Sequence, residues 1–110
     1  MNFEVLTILP FEKELKKLSK KYPSLKNEYL TLLENLETNP IQGTSLGKDC
    51  YKIRLAIKSK KQGKSGGARV IACVKVINKK IYLLTIYDKS EMENITDNDL
   101  SDLLKQLPAN

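Results

Sequence analysis

The chain has 110 residues, of which 41% are hydrophobic, and it carries a formal net charge of +6 with two cysteines and no histidine. This length predicts one domain, residues 1–110, and the composition excludes a disulfide scaffold and a membrane-spanning segment. We expect no metal site and no cofactor, and the absence of a leader-like N-terminus predicts a cytoplasmic protein with reduced thiols.

The first half of the chain predicts one strand and two helices. Residues 3–8 are typical of a strand, and Pro10 suits the start of a helix that Pro23 ends. Apolar residues recur at helical spacing in this helix: Phe11, Leu15, Leu18 and Tyr22. Ser24 can cap the second helix, which residues 39–43 end by forming a loop. Its apolar face is Leu25, Tyr29, Leu32, Leu33 and Leu36.

The second half predicts three strands and a short helix. Residues 51–58 alternate between an apolar face and a second face that holds Lys52, Arg54, Ala56 and Lys58. Residues 59–67 predict a mobile loop that contains three glycines and three lysines. Residues 68–77 and 81–87 then predict a hairpin, in which Thr85, Tyr87 and Lys89 share a face. A capping box from Thr96 to Asp99 begins the last helix, whose apolar stripe is Leu100, Leu103, Leu104 and Leu107.

These elements predict an α+β fold in the order β-α-α-β-β-β-α. A helical hairpin packs on one face of a mainly antiparallel four-stranded sheet. The other face then holds Lys52, Arg54 and Lys58, and Arg69 and Lys89 lie near it at strand ends. The face that Arg69 takes depends on a strand register that the sequence leaves open.

The positive charge is concentrated in the middle of the chain. Residues 48–90 contain twelve Lys or Arg against two Asp, whereas residues 1–47 are neutral and residues 91–110 are acidic. A local field of this kind attracts polyanions. The alternative is a solvated basic surface that only aids solubility.

The segment from Gly63 to Ile71 resembles a phosphate loop only superficially. The position five residues before its Gly-Lys-Ser is Lys58 rather than glycine, and a strand follows where the nucleotide site needs a helix. An anion other than a bound nucleotide is therefore expected, and a phosphodiester backbone suits convergent Lys and Arg.

Cleavage of RNA by its own 2′-hydroxyl needs a base, a charge on the phosphate and an acid for the leaving oxygen. Since the chain has no histidine, the proton carriers must be Lys, Tyr, Asp or Glu. The nearby candidates are Lys52, Lys89, Tyr87, Asp88 and Glu91.

Three blocks of the sequence resemble the HigB-like toxins of the RelE/ParE superfamily of toxin–antitoxin systems. They are residues 51–56 (YKIRLA), residues 63–71 (GKSGGARVI) and residues 83–91 (LLTIYDKSE). The resemblance extends over nearly the whole chain. It implies a RelE-like, microbial-ribonuclease-like fold and a ribosome-dependent endoribonuclease that cuts mRNA in the ribosomal A site.

The resemblance also implies roles for individual residues and partners. The catalytic residues would be Lys52, Arg54, Arg69 and Lys89. Lys52 or Arg54 would sit near the attacking hydroxyl, Arg69 would stabilise charge on the phosphate, and Lys89 would act on the leaving-group side or hold the backbone. Contacts with RNA and the ribosome would come from Lys58, Lys60, Lys61, Lys64 and Tyr87. The partners would be a cognate antitoxin, the ribosome and mRNA. The chain departs from several relatives, since no aromatic residue follows Tyr87.

Other interpretations of the same residues remain open. Arg69 can form an ion pair with Asp88 or Glu91 that pins two strand ends, and Lys52 and Arg54 can serve as the solubilising face of a strand. The alternative functions are a non-nucleolytic ParE-like toxin that inhibits DNA gyrase and a plain RNA-binding module.

Overall fold

The computed structural model describes residues 2–60 and 66–108 and contains one five-stranded sheet and three α-helices in those ranges. The elements are β1 (Glu4–Thr7), α1 (Leu9–Lys21), α2 (Leu25–Thr38), β2 (Thr44–Gly47), β3 (Cys50–Leu55), β4 (Ala68–Lys75), β5 (Lys80–Asp88) and α3 (Asp97–Leu104). The strand order is β1-β5-β4-β3-β2, in which β1 runs parallel to β5 and every other pair is antiparallel. No described helix is long and apolar enough to span a bilayer.

The predicted α+β class is confirmed, but the prediction of four strands is wrong by one. Residues 44–47, expected to lie in a loop, form the edge strand β2, which pairs with β3 through Thr44 and Lys52. The strand is short and mostly exposed, so its sequence lacks the apolar alternation that signals a strand. A tight turn at Lys48 and Asp49, both with positive φ, supplies the twist that joins β2 to β3.

The helical hairpin forms as predicted and packs on one face of the sheet. Pro10 lies in the first turn of α1, and Ser24 is the N-cap residue of α2. The Ser24 hydroxyl donates to Glu28 Oε1 at 2.9 Å and accepts from the Ser59 N–H at 3.0 Å, but it caps no backbone N–H of α2. The first core lies between these helices and the sheet, and its buried members include Phe11, Leu25 and Leu36.

A second, smaller core lies on the opposite face of the sheet, beneath α3. Buried Leu100 of α3 packs there with Ile71 and Leu84. The Thr96 side chain accepts a hydrogen bond from the Asp99 N–H at 3.1 Å, which confirms the predicted cap of this helix. Helix α3 therefore covers part of the sheet face that was predicted to hold the basic residues. The basic side chains lie only at the end of that face that α3 leaves uncovered.

The free cysteines lie in this second core. Cys50 of β3 and Cys73 of β4 are opposite each other in register, and both are fully buried. A hydrogen bond within the pair raises the pKa of Cys50 and lowers that of Cys73. Cys73 thus fills space in this core.

A bulge in β5 determines which side chains reach the uncovered end. Ile71 pairs with Thr85 whereas Ala72 pairs with Leu83, so Leu84 is an extra residue in β5. Side-chain alternation shifts by one at this point. Leu83 consequently faces the helical hairpin, whereas Thr85 and Tyr87 face away from it.

Candidate active site

Two basic residues of β3 lie on the face away from the helical hairpin. Ile53 and Leu55 are buried in the first core. Because successive side chains of a strand alternate between its two faces, Lys52 and Arg54 point away from that core. Lys52 is half-buried and Arg54 is exposed. This alternation is as the sequence predicted, although β3 ends at Leu55 and does not continue to residue 58.

The register of β4 places Arg69 on the same face. Arg54 lies directly opposite Arg69 across β3 and β4, and Arg69 lies opposite Tyr87 across β4 and β5. Residues that are opposite in an antiparallel pair share a face, so these three side chains form one row. Arg69 is only 3% exposed, and its guanidinium donates to the Ala68 carbonyl oxygen at 3.1 Å.

Lys89 is held in place by backbone and carboxylate contacts at the end of β5. Its N–H donates to the Gly67 carbonyl oxygen at 3.0 Å. Asp88 Oδ1 accepts from the Ser90 N–H at 2.9 Å and from the Ser90 hydroxyl at 2.7 Å. On the far side, the Tyr22 hydroxyl donates to Asp88 Oδ2 at 2.7 Å. These bonds fix the residues on both sides of Lys89.

Gly67 lets β3 and β4 approach each other at this end of the sheet. A Cβ at this position would lie 2.2 Å from the Leu55 carbonyl oxygen and 3.1 Å from Ala56 Cα. Any larger residue would force the two strands apart where Arg54 and Arg69 meet. Gly67, which belongs to the loop predicted at residues 59–67, is thus required for close packing of the two strands, and not only for flexibility as the sequence suggested.

Together these elements form a cleft of about 350 Å³, which we call the basic cleft, lined by Lys52, Arg54, Arg69, Lys89, Glu93 and Asn94. The structure therefore brings together all four residues that the sequence proposed as catalytic. Arg69 lies buried at its floor, Lys52 and Lys89 are half-buried and Arg54 is exposed. The lining contains four cations and one carboxylate, so the cleft favours an anion.

Two lining residues, Glu93 and Asn94, were not predicted from the sequence. They lie between β5 and α3, in a segment with no helical or strand periodicity. The Lys52 side chain donates to Asn94 Oδ1 at 2.8 Å, which fixes the ammonium group at the wall of the cleft. The only sequence signal for this segment was its acidic composition beside a basic block, and that signal does not specify a contact.

The other proposed RNA-contacting residues lie elsewhere. The prediction that Lys58 shares the face of Lys52 is wrong, because residues 58–60 form a 3₁₀ turn tied to α2 by the Lys58 N–H, which donates to Glu28 Oε2 at 2.6 Å. Lys60 belongs to the same turn, whereas Lys61 and Lys64 lie outside the described residues. Their predicted roles stay predictions.

Tyr87 is placed beside the basic cleft but is not open to it. It is 6% exposed, and its hydroxyl has no hydrogen-bond partner of good geometry. Burial raises the pKa of Tyr87, and this effect is partly offset by the charge of Arg69 and the nearby Ile95 N–H. In this arrangement the ring does not offer a face on which a base could stack.

Two acidic residues named as possible proton carriers or ion-pair partners are used for structure. Glu91 forms an ion pair with Lys21 at 3.3 Å. Asp88 lies opposite Ala68, which belongs to the first core, so its carboxylate and the Arg69 side chain start from opposite faces of the sheet.

Comparison with known proteins agrees with this architecture. A family model described as the RelE toxin of the RelE/RelB toxin–antitoxin system matches residues 11–108. A double mutant of the E. coli toxin RelE in the free state superposes with a TM-score of 0.64 at 18% identity, covering 98% of this chain and 100% of that chain. The isolated E. coli RelE toxin gives 0.55 at 21% identity, covering 96% and 99%.

A toxin–antitoxin complex shows the same fold. The RelBE2 complex from Mycobacterium tuberculosis gives a TM-score of 0.53 at 11% identity, covering 80% of this chain and 92% of that chain. At these identities the likeness to solved structures establishes the fold alone. The family match covers most of the chain.

Proposed function

We propose that this chain, which belongs to the RelE toxin family, is a ribosome-dependent endoribonuclease that cleaves mRNA in the ribosomal A site and so inhibits translation. The observation that supports this most strongly is the pairing of Arg54 with buried Arg69 across β3 and β4. Like charges directly opposite each other in a sheet are destabilising. A phosphate group between two guanidinium groups would remove that cost, because each can offer two donors to its oxygens.

The basic cleft has the parts that transesterification of RNA requires. Arg69 stabilises the negative charge that develops on the phosphate, and its position at the floor is preorganised by the strand pairing on either side. Arg54 holds the backbone at the rim. We assign Lys52, which is oriented by Asn94, to the attacking hydroxyl, and Lys89 to the leaving-group side. These four residues remain the proposed catalytic set.

The chemistry of this cleft supports the proposal that the activity depends on the ribosome. It contains no histidine, so its proton carriers are poorly matched to neutral pH and its activity on free RNA should be weak. A ribosome that holds the mRNA in a reactive geometry would compensate for this, because it raises the effective concentration of the reacting groups. We further propose that Lys58, Lys60, Lys61 and Lys64 contact ribosomal RNA, and that Tyr87 supports the site.

The biological setting is also proposed. A toxin of this family acts with a cognate antitoxin, and we expect an antitoxin with acidic or apolar residues that covers the basic cleft or displaces an element beside it. The subgroup within the RelE/ParE superfamily is proposed to be HigB-like, on the three sequence blocks. Activity on ribosomes would place the protein in the cytoplasm.

Induced expression in bacteria tests the proposal. The chain is expected to arrest growth, and primer extension on a reporter mRNA is expected to show cuts in register with the codons. An Arg69→Ala variant should neither arrest growth nor cut. Growth arrest without any cut would refute the nuclease. A supercoiling assay would then show whether DNA gyrase is the target.

A further inference from the structure

One carboxylate lies among the four cations of the basic cleft. Glu93 lies between β5 and α3 and lines the cleft with Lys52 and Lys89. Its neighbour Asn94 accepts the hydrogen bond from Lys52 at 2.8 Å, so the segment that contains Glu93 is tied directly to β3. Among the described residues, no other Asp or Glu lines this cleft.

Contacts within the described residues do not explain why a carboxylate lies at this position. No described residue forms an ion pair or a hydrogen bond with the Glu93 side chain, and the residue is exposed. A carboxylate also opposes the binding of a phosphodiester, because it repels the anion that the four cations attract. Glu93 therefore does not stabilise a neighbour by an ion pair, and its place in the lining of the cleft beside Lys52 and Lys89 suits proton transfer.

The other possible proton acceptors near the cleft are buried or have partners of their own. Asp88 is buried and accepts hydrogen bonds from Tyr22 and Ser90, and Glu91 is paired with Lys21. The Tyr87 hydroxyl is buried, and burial makes it harder to ionise. What remains is lysine or Glu93. An ammonium group has no lone pair with which to accept a proton, whereas a carboxylate is ionised in water at neutral pH and accepts one directly.

We propose that Glu93 is the general base of RNA cleavage, an inference that rests on the proposed function. Its carboxylate takes the proton of the 2′-hydroxyl, and the 2′-oxygen forms a bond to the adjacent phosphorus. The bond from phosphorus to the 5′-oxygen breaks, and this oxygen takes a proton from the Lys89 ammonium. The products are a 2′,3′-cyclic phosphate and a free 5′-hydroxyl, and Glu93 returns its proton through water while Lys89 regains one.

Single-turnover cleavage of mRNA on programmed ribosomes tests this assignment with Glu93→Gln. Glutamine keeps the size and the hydrogen-bonding oxygen of the side chain but cannot take up the proton. The cleavage rate constant should fall by about 100-fold or more. The toxin concentration for half-maximal rate should stay equal or decrease, because a repulsive charge has gone. Glu91→Gln is the matched control, since it removes a nearby carboxylate outside the cleft, and it should stay within about twofold of the original chain.

The pH profile separates a base from a group that only shapes the cleft. With Glu93 as base, the pH dependence of the rate should differ between the original chain and Glu93→Gln. Without the carboxylate, the residual rate should rise with hydroxide concentration. A fall in rate with an unchanged pH profile would assign Glu93 a positioning role and overturn the proposal, as would a Glu93→Gln rate within about threefold of the original. If the original chain makes no cut at all, the nuclease function itself fails, a result distinct from both.

Discussion

The hydrogen bond from Tyr22 to Asp88 connects the helical hairpin to the end of the sheet that carries the basic cleft. The Tyr22 hydroxyl lies 2.7 Å from Asp88 Oδ2, and Asp88 is 1% exposed. Asp88 immediately precedes Lys89, and its other oxygen accepts the two hydrogen bonds from Ser90. Tyr22→Phe removes the hydroxyl alone, so it should weaken the anchor of Lys89 while keeping the ring in place.

The expected magnitude follows from the burial and charge of the acceptor. A hydrogen bond to a charged group contributes about 1.5–3 kcal/mol, and the acceptor here has almost no access to water that could replace the donor. We therefore expect the free energy of unfolding to fall by about 2 kcal/mol. With a urea m-value of about 1–1.5 kcal/mol/M, the midpoint should fall by roughly 1.3–2 M.

Urea unfolding at neutral pH measures this change, with Tyr29→Phe as the control. The Tyr29 hydroxyl forms no hydrogen bond with any described residue, so its removal should change stability by less than about 0.5 kcal/mol. The m-value should be unchanged in both variants. A Tyr22→Phe midpoint equal to that of Tyr29→Phe would refute the account of how Lys89 is positioned.

Three further changes have defined outcomes. Gly67→Ala should lower the free energy of unfolding, measured by thermal melting, by about 1–3 kcal/mol, because its Cβ would clash with the Leu55 carbonyl oxygen. A melting temperature equal to that of the original chain would contradict the close approach of β3 and β4 at Gly67. Tyr87→Phe should be neutral or stabilising by up to about 1 kcal/mol, since the buried hydroxyl lacks a partner, and a clear loss would reveal a hidden bond. Burial raises the pKa of Tyr29 and Tyr87 above 10.0 in the folded protein, so the contribution of these two hydroxyls to stability should be constant below about pH 10 and be lost above it. Double replacement by Phe should reduce that alkaline loss in unfolding measured against pH.

Much of this fold was predictable from residue spacing. The apolar stripes of α1 and α2 and the alternation in β3 have the periods of buried helices and of a half-buried strand. Both helices formed where predicted, whereas β3 ends at Leu55 and not at residue 58. The edge strand β2 was missed because Thr44–Gly47 is short and solvated, and its pairing is imposed by the turn at Lys48 and Asp49. Lys58 was misplaced because nothing in the alternation marks the point where β3 ends.

The site was predictable only in part. Four basic residues were identified from charge and position, but the face of Arg69 depended on the register, and the face of Thr85 and Tyr87 depended on a bulge at Leu84. Local sequence determines neither the register nor the bulge, since both result from the pairing of distant strands. Glu93 and Asn94 reach the basic cleft through an irregular segment, whose path only tertiary packing determines.

The central claim is that the paired arginines of the basic cleft stabilise a phosphate in cleavage. The most direct test is the rate of mRNA cleavage on programmed ribosomes by the original chain, by Arg69→Ala and by Arg54→Ala, with Lys17→Met as a charge-matched control. Arg54 and Lys17 are exposed, so those two variants should fold normally, and the circular dichroism spectrum checks Arg69→Ala. We predict a loss of about 100-fold or more for Arg69→Ala, a smaller loss for Arg54→Ala and no loss for Lys17→Met. Full-rate cleavage by a folded Arg69→Ala variant would contradict the account.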